Sequence, residues 1–268
     1  MATYLTANAV GEREDLSDVI TRIDPTETPI FSNGKKITTS GVFHEWQVQE
    51  LTAASDTNYQ SEGADYTYTN PTATTRLGNY HQISIQAASV SGTLDVVDKA
   101  GRDKETAYVK VLKGLEQRRD IEKALCKNEA RVASPEPRKA GKISSYITNV
   151  SLVSPSTTPT GDGTDVSDKA GTDAALTLAK IDTAMKAAYE DGGQPNMLVV
   201  SPANKVAFSD LSGGGVATQQ LQYTAPKEVA IVGSVSLYLT DFGELSVTID
   251  RQMPDDTIFL LDSNHYSI

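Results

Sequence analysis

Residues 52–77 impose the strongest constraint on how this chain folds, because they hold almost nothing from which a hydrophobic core is built. Leu77 is the only Leu, Ile, Val, Met or Phe in the stretch, which is rich in Thr, Ala, Tyr, Asn and Asp. Such a composition buries too little apolar surface to offset the entropy of ordering the backbone. The segment must therefore lie on a surface and gain its order from something else.

Two predicted strands flank this segment. Trp46 and Val48 alternate with polar residues, and Ile83 and Ile85 alternate with polar residues further along the chain. Alternation with a period of two predicts half-buried strands. Structureless connections longer than about 12–15 residues are uncommon inside compact domains unless they serve binding. We therefore predict a protruding two-stranded flap that lies on another surface.

A long amphipathic helix is predicted over residues 103–128. About 25 residues at 1.5 Å each give a rod of roughly 37 Å. One uneven apolar stripe comprises Ala107, Tyr108, Val111, Leu112, Leu115, Ile121 and Leu125. The opposite face is charged, with a predicted pair between Arg118 and Glu122 at i,i+4 spacing.

The remaining elements predict an α+β fold without internal repeats. Residues 1–41 begin as a polar arm with a short helical pattern around Leu16, Val19 and Ile20, and residues 35–39 form a possible short strand. A loop rich in Ser, Thr, Pro, Gly and Asp covers 154–172, followed by a helix that begins near 173 and ends at Gly192-Gly193. A further helix begins at Ser201-Pro202. Strands are predicted at 143–150, 197–200, 229–232, 235–240, 245–249 and 257–261.

Charge and composition exclude several classes of protein. The net charge of −11 argues against a general nucleic-acid binder, although residues 102–142 carry twelve Lys and Arg against seven Asp and Glu. Neither a membrane span nor a signal-peptide pattern is present, so we expect the protein to be made in the cytosol. Cys126 is the only cysteine, so a disulfide within the chain is excluded, and a small buried hydrophobe is the favoured interpretation.

Residues with catalytic or metal-binding potential are sparse. His44, His81 and His265 are scattered, so a polar strand residue is a better interpretation than a metal ligand, even for the two on the flap strands. The Asp-rich loop 161–173, with Asp162, Asp165 and Asp168, lacks the closing glutamate of a calcium loop. Neither a phosphate-binding glycine motif nor a nucleophile elbow is present. We therefore expect no catalytic residue, cofactor or metal, and whether the loop binds an ion stays open.

The series of arm, flap, long helix and mixed lobe resembles the tailed-bacteriophage major capsid proteins with the Hong Kong 97-type capsid fold. Local phrases strengthen the resemblance, and they spread over essentially the whole chain: DLSDVITRIDPTETPIFS at 15–32, His44-Glu45-Trp46, RDIEKAL at 119–125, DGGQPNMLVVSP at 191–202 and TDFGELSVTIDRQMP at 240–254. The resemblance implies an architecture and a mode of assembly, and no enzymatic activity.

Five segments are implied by this resemblance. They are an N-terminal arm at 1–41, an extended β-hairpin loop at 42–92, a spine helix with the first part of a peripheral domain at 93–142, an axial domain at 143–243, and return strands of the peripheral domain at 244–268. The implied function is a virion subunit that assembles in the bacterial cytoplasm. Its hexamers and pentamers would form the icosahedral head shell around packaged double-stranded phage DNA.

The same resemblance implies how the subunit is joined to its partners. Some relatives link subunits through an isopeptide bond from a lysine of the extended loop, but residues 41–90 contain no lysine. We therefore expect non-covalent contacts. The chain begins directly with the arm, which resembles relatives that use a separate scaffolding protein. A portal is a further expected partner, the presence of a decoration protein stays open, and a membrane is not expected.

Two sets of side chains are candidates for these contacts. Large aromatics dominate interface energy, so we expect inter-subunit contacts at Trp46, Tyr59, Tyr66, Tyr68 and Tyr80, with packing inside their own hairpin as an open alternative. Cations of the spine helix are possible lumenal contacts to DNA, with a solvated helix face as the alternative: Lys110, Lys113, Arg118, Arg119 and Lys123. Other functions also stay open, namely an encapsulin-type nanocompartment shell, a hydrolase with an unrecognised site, or a phage decoration or tail component.

Overall fold

A computed structural model describes residues 15–66, 68, 70–134, 136–149, 159–166, 175–211 and 236–268. The chain divides into two compact units. The smaller unit comprises Met1–Glu27 and Ile85–Arg119, and the larger unit comprises Thr28–Ser84 and Asp120–Ile268. Helices and strands are mixed in the described parts, so the fold class is α+β, as predicted. None of the described helices is long and apolar enough to cross a lipid bilayer.

Because the short helices at 29–33 and 92–96 were not predicted, the described helices and strands follow the predicted order only in part. They are α1 (Pro29–Asn33), β1 (Phe43–Val48), β2 (Thr75–Tyr80), α2 (Gly92–Val96), α3 (Glu105–Leu125), a 3-10 helix (Ile143–Tyr146), α4 (Leu178–Glu190), β3 (Met197–Val200), α5 (Pro202–Ser209), β4 (Leu237–Thr240), β5 (Gly243–Ile249) and β6 (Phe259–Leu261). Strands β1 and β2 form an antiparallel hairpin, and the other four form one sheet in the order β4-β5-β3-β6.

The core of the larger unit lies on both faces of strand β3. This strand runs parallel to β5 and antiparallel to β6, and all four of its side chains are buried. Because successive side chains of a strand point to opposite faces, Met197 and Val199 join one apolar cluster, whereas Leu198 and Val200 join the other. The first cluster also contains Ile30, Cys126, Met253, Phe259 and Leu261. The second contains Ile181, Met185, Phe208 and Leu245.

Two helix ends in the larger unit lie where the sequence predicts them, namely the end of α4 and the start of α5. Helix α4 ends as Gly192-Gly193 predicts, because Gly192 has a φ of +84° and the Gly193 amide donates to the Ala188 carbonyl at 2.8 Å. This is the hydrogen bond of a Schellman motif, which satisfies an otherwise unpaired carbonyl. Helix α5 begins where Ser201 accepts a hydrogen bond from the Asn204 amide at 3.2 Å.

Several local predictions are wrong. The second hairpin strand is β2, not the segment around Ile83 and Ile85, whose side chains are exposed. Alternation alone does not make a strand, and it is Leu77 of β2 that lies opposite Trp46 in the ladder. The predicted strand at 143–150 is a 3-10 helix in its first part, because Ser145 bonds to the Lys142 carbonyl through both its amide and its hydroxyl.

The N-terminal segment also differs from the prediction. Residues 15–28 contain no helix, although Leu16, Val19 and Ile20 are spaced for one. The strand expected at 35–39 is reduced to a single bridge between Lys35 and Ser267. The pairing extends as far as Ile37, whose amide donates to the Ile268 carbonyl at 3.2 Å, and so short a ladder does not make a strand. The strand predicted at 229–232 lies outside the described residues.

Candidate assembly surfaces

The base of the hairpin is fastened to the larger unit. The Trp46 ring lies 5.6 Å from the Tyr146 ring, centre to centre. The carbonyl of Gly78 accepts hydrogen bonds from the Tyr146 hydroxyl at 3.0 Å and from the Arg131 guanidinium. A Cβ on Gly78 would lie 2.6 Å from Cζ of Phe43, so only glycine fits this close approach. These contacts fix the direction in which the hairpin leaves the body of the subunit.

A second set of hydrogen bonds continues along the strand end. The Asn79 side chain donates to the Gly141 carbonyl at 3.1 Å and accepts from the Gly141 amide at 2.8 Å. The buried Lys142 ammonium donates to Oε1 of Gln82 at 2.7 Å, and burial lowers the pKa of Lys142. Residues 79–82 are therefore held by 140–142 of the same chain.

The structure separates the predicted aromatic contacts into two groups. Trp46 and Tyr80 are half-buried at the hairpin base, where the Tyr80 ring lies 4.5 Å from the Phe43 ring. Tyr59, Tyr66 and Tyr68 lie in the connection between β1 and β2 and are highly exposed. Every described residue of 49–76 is exposed, and helix and strand are absent from the described part of 49–74. The hairpin is therefore firmly held at one end and uncovered at the other.

The predicted DNA-facing cations lie along α3. Lys110, Arg118 and Lys123 are exposed, and Arg119 is partly buried. The Lys113 ammonium lies 2.5 Å from a carboxylate oxygen of Glu116, one turn away. The five side chains are thus spread along the helix, and Lys113 forms a local ion pair with Glu116.

A buried acidic cluster fastens three separate parts of the larger unit together. Glu122 of α3 is fully buried, and its two carboxylate oxygens accept hydrogen bonds from the Ile30 amide at 2.7 Å and the Phe31 amide at 2.8 Å. Asp250 follows β5, is also buried, and accepts a hydrogen bond from Sγ of Cys126 at 3.2 Å. The prediction that Glu122 lies on the charged face of the helix is wrong, because it caps the amides of α1 from inside.

Burial controls the protonation of this cluster. It raises the pKa of Glu122 to about 7, and the adjacent Asp250 carboxyl adds to the rise, while the amides of Ile30 and Phe31 oppose it. Burial and the Glu122 carboxyl raise the pKa of Tyr266 to about 12, and its hydroxyl donates to the Ile30 carbonyl at 3.0 Å. Two adjacent buried carboxyl groups ionise together only at high cost, which is why the Asp250 carboxyl adds to the rise in the pKa of Glu122.

A signal for Glu122 was present in the sequence. It lies seven residues after Leu115 and four before Cys126, so it falls on the apolar stripe of α3. A carboxylate on such a stripe needs a buried donor. The donors are backbone amides more than 90 residues away in sequence, and no pattern of side chains reveals them.

Comparison with known proteins places the chain in a family. The family model of the SU10 major capsid protein matches residues 2–268, almost the entire chain. The chain belongs to the SU10 major capsid protein family. It is therefore a phage capsid protein, and the resemblance seen in the sequence is confirmed at this level.

The chain is also similar to one phage capsid protein in sequence and to one solved capsid structure. The capsid protein is 28% identical over 121 residues to the major capsid protein of Escherichia phage Phieco32. That match covers 45% of this chain and 34% of the relative, so the capsid protein spans about a third of the length of that protein. The solved capsid structure of the cyanophage P-SCSP1u aligns over 90% of this chain and 68% of its own, at 14% identity and a TM-score of 0.43.

Metal binding has little support in the described parts of the capsid protein. They contain no group of three or more His, Cys, Asp or Glu side chains placed to hold an ion. Asp162 instead accepts hydrogen bonds from the amide and hydroxyl of Thr164, which lower its pKa. Asp165 accepts from the Thr160 amide at 3.0 Å, and Asp168 lies outside the described residues. In the described part of this loop, residues 161–166, the carboxylates of Asp162 and Asp165 thus accept hydrogen bonds from nearby residues in local turns.

Proposed function

We propose that this capsid protein is the shell subunit of a phage head with the Hong Kong 97-type architecture, which self-assembles into hexamers and pentamers through non-covalent contacts. The family match over residues 2–268 carries the proposal. The segments keep the boundaries given above: arm 1–41, extended hairpin loop 42–92, spine helix and peripheral part 93–142, axial domain 143–243, and return strands 244–268. A scaffolding protein, a portal and a decoration protein are the proposed partners.

The exposed end of the hairpin is the proposed contact to the next subunit. Leu51, Tyr59, Tyr66 and Tyr68 present large apolar surfaces to solvent on a segment without a core. Covering such side chains is favourable, and tyrosine is among the residues that contribute most to interfaces. Trp46 and Tyr80 use their contacts at the hairpin base, so their proposed role is to hold the hairpin at the angle from which its end reaches a neighbour.

Weak contacts of this kind suit a shell. Each contact contributes modestly, but a subunit in a closed lattice makes many of them at once, so their combined effect is large. The absence of lysine from residues 41–90 leaves the hairpin without an amine for a covalent link. The proposed shell is therefore held by repeated burial of apolar surface.

The exposed cations of α3 are the proposed lumenal surface. Lys110, Arg118 and Lys123 lie on a chain with a net charge of −11, so they locally offset an acidic wall. Contacts of lysine and arginine to phosphate are independent of sequence and weaken as salt rises. The proposed role is non-specific contact with packaged double-stranded DNA.

The test is assembly of a triple variant in which Tyr59, Tyr66 and Tyr68 become serine. The matched control converts the same three residues to phenylalanine, which keeps the rings. We expect the serine variant to fold with unchanged emission from Trp46, the only tryptophan, and to give few closed particles in negative-stain images. The control is expected to assemble. Closed particles of the serine variant at the yield of the unmodified protein would overturn the proposed hairpin contact.

The contents of the particles separate a virus shell from a nanocompartment. Particles from infected cells are expected to contain double-stranded DNA, measured by nuclease-resistant nucleic acid. Particles filled with protein instead would identify the encapsulin-type alternative.

A further inference from the structure

The smaller unit lacks a core in its described residues 15–27 and 85–119. Every fully buried apolar side chain that the structure describes belongs to the larger unit, and Glu105 is the only buried residue of the smaller one. Large apolar side chains are instead exposed in the smaller unit, including Leu16, Val19, Ile23, Val96, Val97 and Val111. Apolar surface that stays uncovered provides no driving force for folding. The described part of this unit therefore has no hydrophobic core of its own.

The arm contains the pattern of a helix that the isolated subunit does not form. Leu16, Val19, Ile20 and Ile23 have the spacing i, i+3, i+4, i+7, which places them on one face of a helix. The structure shows no helix at residues 15–28, and Leu16, Val19 and Ile23 are 67%, 74% and 92% exposed. A helix of two turns is unstable in water by itself. Its formation requires a surface that covers the apolar face.

A surface of suitable character lies on α3. Val111 is 62% exposed in the first half of this helix. Ala107 one turn before it, the adjacent Lys110, and Lys104 just before the helix are also exposed. Residues 104–119 contain five Lys and Arg against two Glu, a net charge of +3. Residues 15–27 contain four Asp and Glu against one Arg, a net charge of −3. The arm segment is apolar at its centre and has acidic residues on both sides, Asp15, Asp24 and Glu27, which complement the basic surface of α3 and favour association.

Within one subunit these two surfaces do not cover each other. The arm passes the turn before α3, where a Cβ on Gly101 would lie 3.0 Å from the Asp18 carbonyl oxygen and from Cγ1 of Ile20. Val111 is six residues beyond the start of α3, a rise of about 9 Å along the helix axis. Both Val19 and Val111 stay exposed in this arrangement.

We propose that residues 16–23 fold into a short helix that packs on the Val111 face of α3 in a second copy of the chain. The inference rests on the proposed shell function, because a lattice supplies the second copy at high local concentration. Burial of Leu16, Val19 and Ile23 against this face provides the driving force, and the opposite charges set the orientation. Folding of the arm is thereby coupled to assembly.

Hydrogen exchange of the full chain tests the inference. We expect the amides of residues 18–24 to exchange rapidly in isolated subunits and at least tenfold more slowly in assembled particles. Val19→Asp is expected to abolish the slowing and to reduce particle yield. Thr21→Asp introduces the same charge on the opposite face of the predicted helix, so both properties should persist.

Cross-linking identifies which copy covers the arm. One chain carries Val19→Cys, a second carries Val111→Cys, and the two are co-assembled and treated with a mild oxidant. A disulfide between chains is expected, with Thr21→Cys as the control that gives none. Efficient cross-linking within a chain that carries both cysteines, without any between chains, would overturn the assignment to a second copy.

Failure of this inference differs from failure of the proposed function. If the unmodified protein forms closed particles but residues 18–24 exchange as fast as in isolated subunits, the docked helix is refuted and the shell function stands. If the unmodified protein forms no particles under any assembly condition, the shell function itself is refuted.

Discussion

Replacing Glu122 by glutamine is expected to change how the stability of the subunit depends on pH. The carboxyl group is fully buried beside Asp250, and burial raises its pKa from 4.5 to about 7. In the unfolded chain the group is solvated and has its ordinary pKa. The folded state therefore binds this proton more tightly than the unfolded state does. Glutamine cannot titrate, so the substitution removes this source of pH dependence.

The magnitude follows from the two pKa values. One pKa unit corresponds to about 1.4 kcal/mol, so a rise from 4.5 to about 7 amounts to about 3 kcal/mol. Because the folded-state pKa is raised, this stabilisation is complete below pH 4.5 and is lost as the pH rises through about 7. Glutamine also loses one acceptor for the amides of Ile30 and Phe31, which costs about 1–3 kcal/mol at every pH.

The assay is urea unfolding of isolated subunits between pH 4 and pH 9, followed by Trp46 fluorescence. Trp46 and Glu122 belong to the same unit, so its emission reports on the relevant transition. The stability advantage of the unmodified protein over Glu122→Gln should shrink by about 3 kcal/mol across this range. Glu62→Gln, at an exposed loop position, controls for the lost charge. A difference between Glu122→Gln and the unmodified protein that is constant with pH would refute the reasoning.

Three further substitutions test the packing of the larger unit by urea unfolding. Gly78→Ala should destabilise the larger unit by about 1–3 kcal/mol and shift the Trp46 emission, because the new methyl group meets the Phe43 ring. Gly92→Ala is the control and should leave the Trp46 emission unchanged, because a Cβ on Gly92 has no atom within 4 Å. Ser201→Ala removes the cap of α5 and should cost about 1 kcal/mol, and no loss would contradict the capping role. Leu198→Ala empties part of the core beside β3 and should cost about 2–5 kcal/mol, whereas a loss below 1 kcal/mol would argue against this packing.

The elements that the sequence predicts correctly are those whose signals are local. Strand β3 is a continuous apolar run, α5 carries its own cap at Ser201, and α4 carries its stop signal at Gly192-Gly193. Each of these signals acts within a few residues, so it can be recognised without knowing the tertiary structure. The long helix α3 is found for the same reason, since its periodicity extends over 21 residues.

The errors occur where distant partners decide the outcome. Ile83 and Ile85 alternate like strand residues, but the ladder with β1 ends at Tyr80, paired with Phe43. Glu122 is predicted on a charged face, yet amides more than 90 residues away take it into the interior. In the arm, the residues have the spacing of a helix, but the helix does not form. No described part of the subunit covers the apolar face that such a helix would have. A local pattern of side chains does not show which residues contact each other when they are far apart in the sequence.

Because Cys126 is buried, the reactivity of its thiol reports when the larger unit unfolds. It is the only cysteine of the chain, it lies against Asp250 in the core, and burial raises the pKa of its thiol. The thiolate is the nucleophile that attacks thiol-reactive dyes. The folded protein therefore protects Cys126 in two ways, because the dye cannot reach the sulfur and because the thiol keeps its proton. Labelling of Cys126 therefore proceeds only as fast as the larger unit unfolds, and its time course in particles measures how firmly a subunit stays closed inside the shell.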